Sequence, residues 1–376
     1  MRGMIAVLIM SLLLPRAAAA QESFRFEIVQ RVHTTPVKDQ ARTGTCWSFA
    51  SSSFLETELL RMGKEPVDLS EMFFVRMTYP QKVRNYVRLH GNAALGEGSL
   101  GGDVFRAVRD YGAVPESVYP GRRYGAERHD HGELVGLVRA AAEALVERRE
   151  LSPVWPDAID GILDAYLGEV PEQFEYNGKT YTPRSFADEL GVDPAHYVEL
   201  TSFSHHPFYT WLAVEVPDNW ARNESFNLPL DELMGVIDHA LERGYSVDWD
   251  GDVSERSFCH AKGVAVLPRE PWGERSEEAR TRVCSVPEAE AQVTQAVRQR
   301  GFDDYTSTDD HLMHLVGIAR DQNGTKYYLT KNSWGVTGAQ DGFLYMSEAY
   351  VRAKTITVVV HRDALPAGLT GKVVPR

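Results

Sequence analysis

The chain has 376 residues, with 53 acidic against 40 basic side chains, a formal net charge of −13 and 43% hydrophobic residues. That length exceeds what one compact core usually holds, so two lobes or one domain with a large insertion are expected, and the apolar content suffices for a sizeable core. The acidic balance argues against nucleic acid as a partner, because phosphate binding needs concentrated basic surface, and three cysteines are too few for a disulfide scaffold.

Residues 1–20 read as an export signal. Arg2 gives a positive start, Met4 to Leu14 is apolar but too short to span a bilayer, and Ala18, Ala19 and Ala20 supply small residues for cleavage. A periplasmic or secreted protein cut near Ala20 is expected, and no later stretch is apolar for long enough to cross a membrane. In such a compartment Cys259 and Cys284 could pair, or both could be buried small residues, while Cys46 is left as a free thiol.

Three helices are predicted early. Cys46 to Met62 lacks Gly and Pro, carries Ala50, Phe54, Leu55 and Leu59 near helical spacing, and is stopped by Gly63 and Pro66. A second starts at Ser70 as N-cap and runs towards Tyr79-Pro80, and a third spans Asp103 to Tyr111 before Gly112. Leu134, Leu137, Val138, Ala141, Ala142 and Leu145 then make a helical stripe, after which Pro153, Pro156, Pro171 and Pro183 break up a polar, aromatic stretch. His205-His206 invites a metal reading. No further Cys, His or carboxylate stands at ligand spacing around the pair, so structural histidines are expected and neither metal nor cofactor is called.

The last third has strand character. Leu315 to Arg320 and Thr325 to Lys331 flank Asp321-Gln322-Asn323-Gly324, a hairpin signal, and Thr355 to Val360 is another strand. Counting outward from that turn places Asn332 opposite roughly residues 313 to 315, close to His311. An Asn carbonyl beside an imidazole fixes its tautomer and turns the other nitrogen towards a nucleophile. Cys46 at a helix N-terminus fits that role, since the helix dipole and a nearby imidazolium both favour thiolate.

Four segments in order resemble the papain-like cysteine peptidases: Pro36-Val37-Lys38-Asp39-Gln40, Gly44-Thr45-Cys46-Trp47-Ser48-Phe49, His311 to Gly317, and Asn332-Ser333-Trp334-Gly335. The resemblance implies Cys46 as nucleophile, His311 as general base and acid, Asn332 as orienter and Gln40 as a side-chain donor to the oxyanion. His314 is the rival for His311. Trp334 is expected to pack over the His–Asn hydrogen bond, and Gly101-Gly102 resembles the glycine pair along which substrate backbone runs.

The implied fold is α+β and two-lobed: a helical lobe over 21–122, an insertion over 123–228, a β-rich lobe over 229–365 and a tail over 366–376. His311 follows Cys46 by 265 residues, against about 130–150 in minimal papain-like enzymes. That separation, the few cysteines and the run Val358 to Pro366 resemble the bleomycin hydrolase or aminopeptidase C branch. The branch implies peptide substrates, aminopeptidase action, a homo-hexamer and a C-terminal tail lying in the cleft. An endopeptidase of the same chemistry and an inactive peptide-binding homologue are the alternatives.

Overall fold

The computed structural model describes residues 23–123 and 125–373, so the export signal expected over residues 1–20 lies outside the described residues. Helix α1 (Cys46–Arg61) begins on the cysteine itself and is buried from Cys46 through Leu59. Its middle, Ala50 to Ser53, is made of small residues, which lets the helix approach a sheet closely on one side while Phe54, Leu55 and Leu59 enter a helical core on the other. Helix α2 (Glu71–Arg88) has Ser70 as N-cap, its hydroxyl accepting from the Phe73 N–H. It does not stop at Tyr79-Pro80 as its sequence suggests but runs through Pro80 for two further turns. Burial of Met72, Phe73, Val75, Val83 and Val87 against the helical core outweighs the loss of one backbone bond at proline.

Helix α3 (Gly102–Tyr111) ends at Gly112, whose φ of 91° is open to glycine. Helices α4 (Gly132–Val146) and α5 (Trp155–Leu167) pack their Leu134, Val138, Ala142, Ile159, Leu163 and Leu167 into the same core as α2, and α6 (Pro183–Leu190) adds Phe186 and Leu190. Pro156 and Pro183 stand in the first turns of α5 and α6, so these prolines start helices rather than interrupt them.

The second layer is one mixed sheet. In chain order its strands are β1 (Phe26–Arg31), β4 (Tyr197–Thr201), β5 (Trp211–Ala213), β6 (Glu224–Asn227), β7 (Val247–Gly251), β8 (Phe258–Cys259), β9 (Val264–Ala265), β10 (His311–Asp321), β11 (Lys326–Lys331), β12 (Phe343–Ser347) and β13 (Thr355–His361). A separate hairpin joins β2 (Phe174–Tyr176) to β3 (Lys179–Tyr181). The sheet order is β5-β6-β4-β13-β7-β10-β11-β12-β9-β8, with β1 also on β10.

Strand β10 is the hinge of this arrangement. Residues 311–315 pair with β7 and residues 317–321 pair with β1, the change of neighbour falling where Gly317 lets the Gln30 carbonyl approach. Its hairpin with β11 sets Arg320 against Lys326 and His314 against Lys331, which carries Asn332 back to the His311 end as the sequence count requires.

Helices α7 (Leu230–Glu242), α8 (Glu277–Arg282), α9 (Gln295–Asp303), α10 (Glu348–Lys354) and α11 (Ala367–Thr370) complete the chain. On the sheet face away from α1, Leu233, Ile237, Trp249, Met313, Leu315, Tyr328 and Val358 form a second core. On the α1 face Leu312 enters the helical core. Residues 123–228 are therefore divided between layers: α4 to α6 cover the helical side, and β4 to β6 extend the sheet beyond β13. The tail packs Leu369 and Val373 into the second core, and Arg362 Nη1 donates to the Val373 carbonyl. This anchorage is at the His361 end of β13, whereas the Thr355 end faces Gly251 and, beyond it, His311.

Candidate active site

The segment before α1 is pinned to the segment after β11. The Gln40 N–H donates to the Ser333 carbonyl at 2.8 Å, and Asp39 bridges to Trp334. On the far side the Gly44 N–H donates to Glu97 Oε2 at 2.8 Å and Trp47 Nε1 donates to the Glu97 carbonyl at 3.0 Å. Cys46 is thus held at the first position of a helix, where N–H groups lack intrahelical partners and the dipole is positive. It is a free cysteine, 7% exposed, and its thiol accepts from the Leu312 N–H.

Leu312 follows His311, so the imidazole and the backbone group that meets the thiol belong to the same end of β10. His311 Nε2 lies 2.8 Å from Asn332 Oδ1. The Ser333 N–H also donates to that oxygen at 2.7 Å, which fixes the amide's orientation. An oxygen acceptor there makes His311 Nε2 the protonated nitrogen and leaves Nδ1 with its lone pair. The Asn332 Nδ2 faces His260 Nδ1 at 3.3 Å, and the Trp334 ring stacks on His311 at 4.8 Å and meets His260 edge-on at 4.9 Å.

Gln40 sits beside this group, its Oε1 accepting from Ser333 Oγ at 2.6 Å and its Nε2 donating to the Thr43 carbonyl at 2.8 Å. One Nε2 hydrogen is engaged there, and an amide has two.

Burial governs the charges. It pushes the Cys46 thiol up to about 12; the Leu312 N–H pulls it down, and Asp250, Asp309 and Asp218 push it further up. Burial also pushes the His311 imidazole down to about 4, against the bond to Asn332 that favours the protonated ring. Burial thus disfavours each charge when it stands alone.

His314 stands apart from these groups. It is fully buried, with Nδ1 3.0 Å from Ser53 Oγ in the middle of α1, and its neighbour Lys331 donates to the same hydroxyl. Gly101 and Gly102 open α3 pressed against the carboxylates of Asp248 and Glu199, with Gly101 also against Ser51 of α1. Around His205 and His206 the sequence expectation needs correction, because Glu215 arrives from beyond β5 and takes both Nε2 atoms, at 3.1 and 2.6 Å. Gln299 accepts the Ser204 N–H on its oxygen and so turns its Nε2–H to His205 Nδ1, leaving His205 Nε2 protonated towards Glu215. That tautomer makes His205 and Glu215 a hydrogen-bonded clasp.

Sequence reasoning missed His260 and the aspartates facing Cys46. The aspartates did leave a signal: Val247 to Asp252 alternates apolar or glycine positions with Asp248, Asp250 and Asp252, and Asp309 lies two residues before His311.

The family model for papain family cysteine proteases matches residues 23–129, and that of the peptidase C1-like family matches residues 162–373. Aminopeptidase C of Lactococcus lactis subsp. cremoris is 24% identical over 370 residues, covering 88% of this chain and 81% of that protein. Aminopeptidase E of Lactobacillus helveticus is 23% identical over 380 residues, with 88% and 82% covered. Among solved structures, PepW from Lactobacillus rhamnosis HN001 shares the fold with a TM-score of 0.71 at 20% identity, over 92% of this chain and 84% of that one.

Proposed function

This chain belongs to the peptidase C1-like family and is a cysteine peptidase; we propose that Cys46 is its nucleophile, His311 its base and acid, and that it removes residues from the free N-termini of peptides. The observation that carries the assignment is Asn332 Oδ1 holding the His311 Nε2–H at 2.8 Å, which leaves Nδ1 to take the Cys46 proton. Proton transfer creates two opposite charges together in a dry site, where their attraction offsets the burial that disfavours each alone.

Cys46 Sγ then attacks the peptide carbonyl carbon, and the oxyanion accepts from the Cys46 N–H and the second Gln40 Nε2–H. His311 passes its proton to the leaving amine. Water, deprotonated by His311, attacks the thioester and releases the acid and the thiol. Trp334 over His311 excludes water from the bond that orients the base.

The aminopeptidase form is supported by the relatives named aminopeptidase C and E, which match most of the chain. One observation favours an endopeptidase instead: up to Val373 the tail is packed in the sheet's far core and leaves the cleft open. The export proposal gains support from the Cys259–Cys284 disulfide, a bond of oxidising compartments. A homo-hexamer remains a proposal that rests on the resemblance, to be tested by sedimentation of the intact chain.

Cys46→Ala should abolish cleavage of a fluorogenic leucyl amide and of its N-acetyl form alike, together with alkylation by iodoacetamide. Turnover above a few per cent of wild type would remove Cys46 from the mechanism.

A further inference from the structure

Strand β7 buries Val247 and Trp249 in the second core and turns Asp248 and Asp250 to the other face, followed by Asp252 just past its end. Asp252 is paired on both oxygens and Asp248 on one, its Oδ1 lacking a partner. Asp248 Oδ2 accepts from Ser51 Oγ at 2.5 Å, and Asp252 accepts from the Ser254 N–H at 2.6 Å and the Thr308 N–H at 3.0 Å, with Lys354 at 3.4 Å. Asp250 is 1% exposed, and its oxygens have no partner but the carboxyl of Asp309, with which it is hydrogen-bonded through a shared proton. Asp309 Oδ2 likewise lacks any other partner. A buried carboxylate without a donor is a costly arrangement, rare unless a ligand or a proton completes it.

The position of this pair gives it meaning. Asp250 stands opposite Leu312 in the β7–β10 register, and the Leu312 N–H is the one that reaches the Cys46 thiol. Asp218 closes the group from the helical side, packed so tightly on Gly98 that a methyl group there would overlap its carboxylate. Gly98 follows Glu97, which holds Trp47, so this wall is continuous with the start of α1. Lys82 donates to the Gly98 carbonyl and lies among Asp218, Asp103, Glu97 and Asp309, of which Asp103 is also paired with Arg106.

We propose that Asp250 and Asp309, with Asp218 at the rim, form a subsite for a protonated amine of the bound peptide, and that this subsite selects substrates. The proposal rests on the cysteine-peptidase reading and deepens its aminopeptidase form. In a substrate cut after its first residue, the α-amino nitrogen is two bonds from the reacting carbonyl carbon, about 2.5 Å away. A carboxylate group that serves that nitrogen must therefore stand close to the nucleophile and base. Asp250, opposite Leu312, and Asp309, two residues before His311, flank the strand end that carries the base. A lysine side chain one residue upstream of the cut is the other source of the same chemistry. In both cases the ammonium replaces the shared proton as donor to the pair and offsets the aspartate charge that adds to burial in opposing ionisation of Cys46.

The test compares kcat/KM for a leucyl amide, its N-acetyl form, and the N-acetyl lysyl-leucyl and norleucyl-leucyl amides, in wild type, Asp250→Asn and Asp309→Asn. The free-to-acetylated ratio should fall about tenfold or more in each variant, with Cys46 still titrated by iodoacetamide as proof of a folded site. A wild type indifferent to acetylation but favouring lysine over norleucine, with that preference lost in Asp309→Asn, would refute the aminopeptidase reading and keep the subsite. Variants that stay alkylatable and hold every ratio within about twofold would overturn the subsite. Wild-type enzyme supplies a check that needs no folded variant: leucinamide should inhibit about tenfold better than N-acetyl-leucinamide, and equal inhibition would overturn the proposal too.

Discussion

Asn332→Ala is the most informative single change at the site. Asn332 Oδ1 accepts two hydrogen bonds, from His311 Nε2 and from the Ser333 N–H, and all three residues are buried. Losing the Ser333 bond leaves a buried N–H unpaired, which costs stability by about 1–3 kcal/mol. Losing the His311 bond acts on the reaction instead. As His311 becomes imidazolium its Nε2–H donates from a charged ring, and such a bond is worth about 1.5–3 kcal/mol, or about 10- to 150-fold in rate. Removal also frees the ring to place its proton on Nδ1, the tautomer that cannot accept from Cys46. The loss should appear in kcat for a leucyl amide with KM nearly unchanged, because Asn332 acts through His311 and does not touch substrate. It should be accompanied by slower alkylation of Cys46 at neutral pH. A variant that is folded by near-ultraviolet dichroism and keeps kcat within about threefold would refute the orienting role.

Two further changes separate scaffold from chemistry. Burial and the neighbouring Lys331 hold the His314 imidazole well below its usual range. Its folded-state affinity for protons is therefore lower than in the unfolded chain, so it supports the fold above about pH 6.5 and loses that support as pH falls below it. His314→Gln should flatten the acid limb of a denaturation profile by up to about 1.4 kcal/mol per pH unit while kcat per alkylatable Cys46 is retained; an unchanged limb would show that His314 is not buried neutral. Leu369→Ala should cost about 2–5 kcal/mol in urea unfolding, because Leu369 lies in the second core, and leave the free-to-acetylated substrate ratio as in wild type; a changed ratio would restore the tail as a specificity element.

The parts of the fold legible in the sequence are those fixed by local chemistry. The start of α1 at Cys46, the Ser70 cap, the end of α3 at Gly112 and the Asn323-Gly324 turn are each set by residues within a few positions. Turn and period together were enough to bring Asn332 to His311, since register carries distance along a hairpin without further information. What the sequence hid depends on distant contacts. Pro80 continues α2 because α4 and α5 cover that helix, and Glu215 meets the histidine pair through a turn whose path no local pattern specifies. His260 reaches Asn332 on a segment tethered by the Cys259–Cys284 bond, and a pairing of cysteines is not written in their spacing.

The aspartates of β7 and of the loop before β10 illustrate a harder case. Alternation of Asp with Val and Trp reads as a strand with one wet face, and on that reading Asp250 is solvated and of no interest. The wet face is instead covered by α1, so the same pattern puts carboxylates where water is excluded and a thiol must ionise. Negative charge there works against the nucleophile, and a site built only for speed would not carry it. The arrangement becomes favourable when the substrate itself brings a positive charge, because a single ammonium then both pairs the carboxylates and offsets the charge they add to burial in opposing thiolate. Discrimination and activation are in that case one electrostatic event, and a neutral, acylated substrate leaves the opposing charge in place.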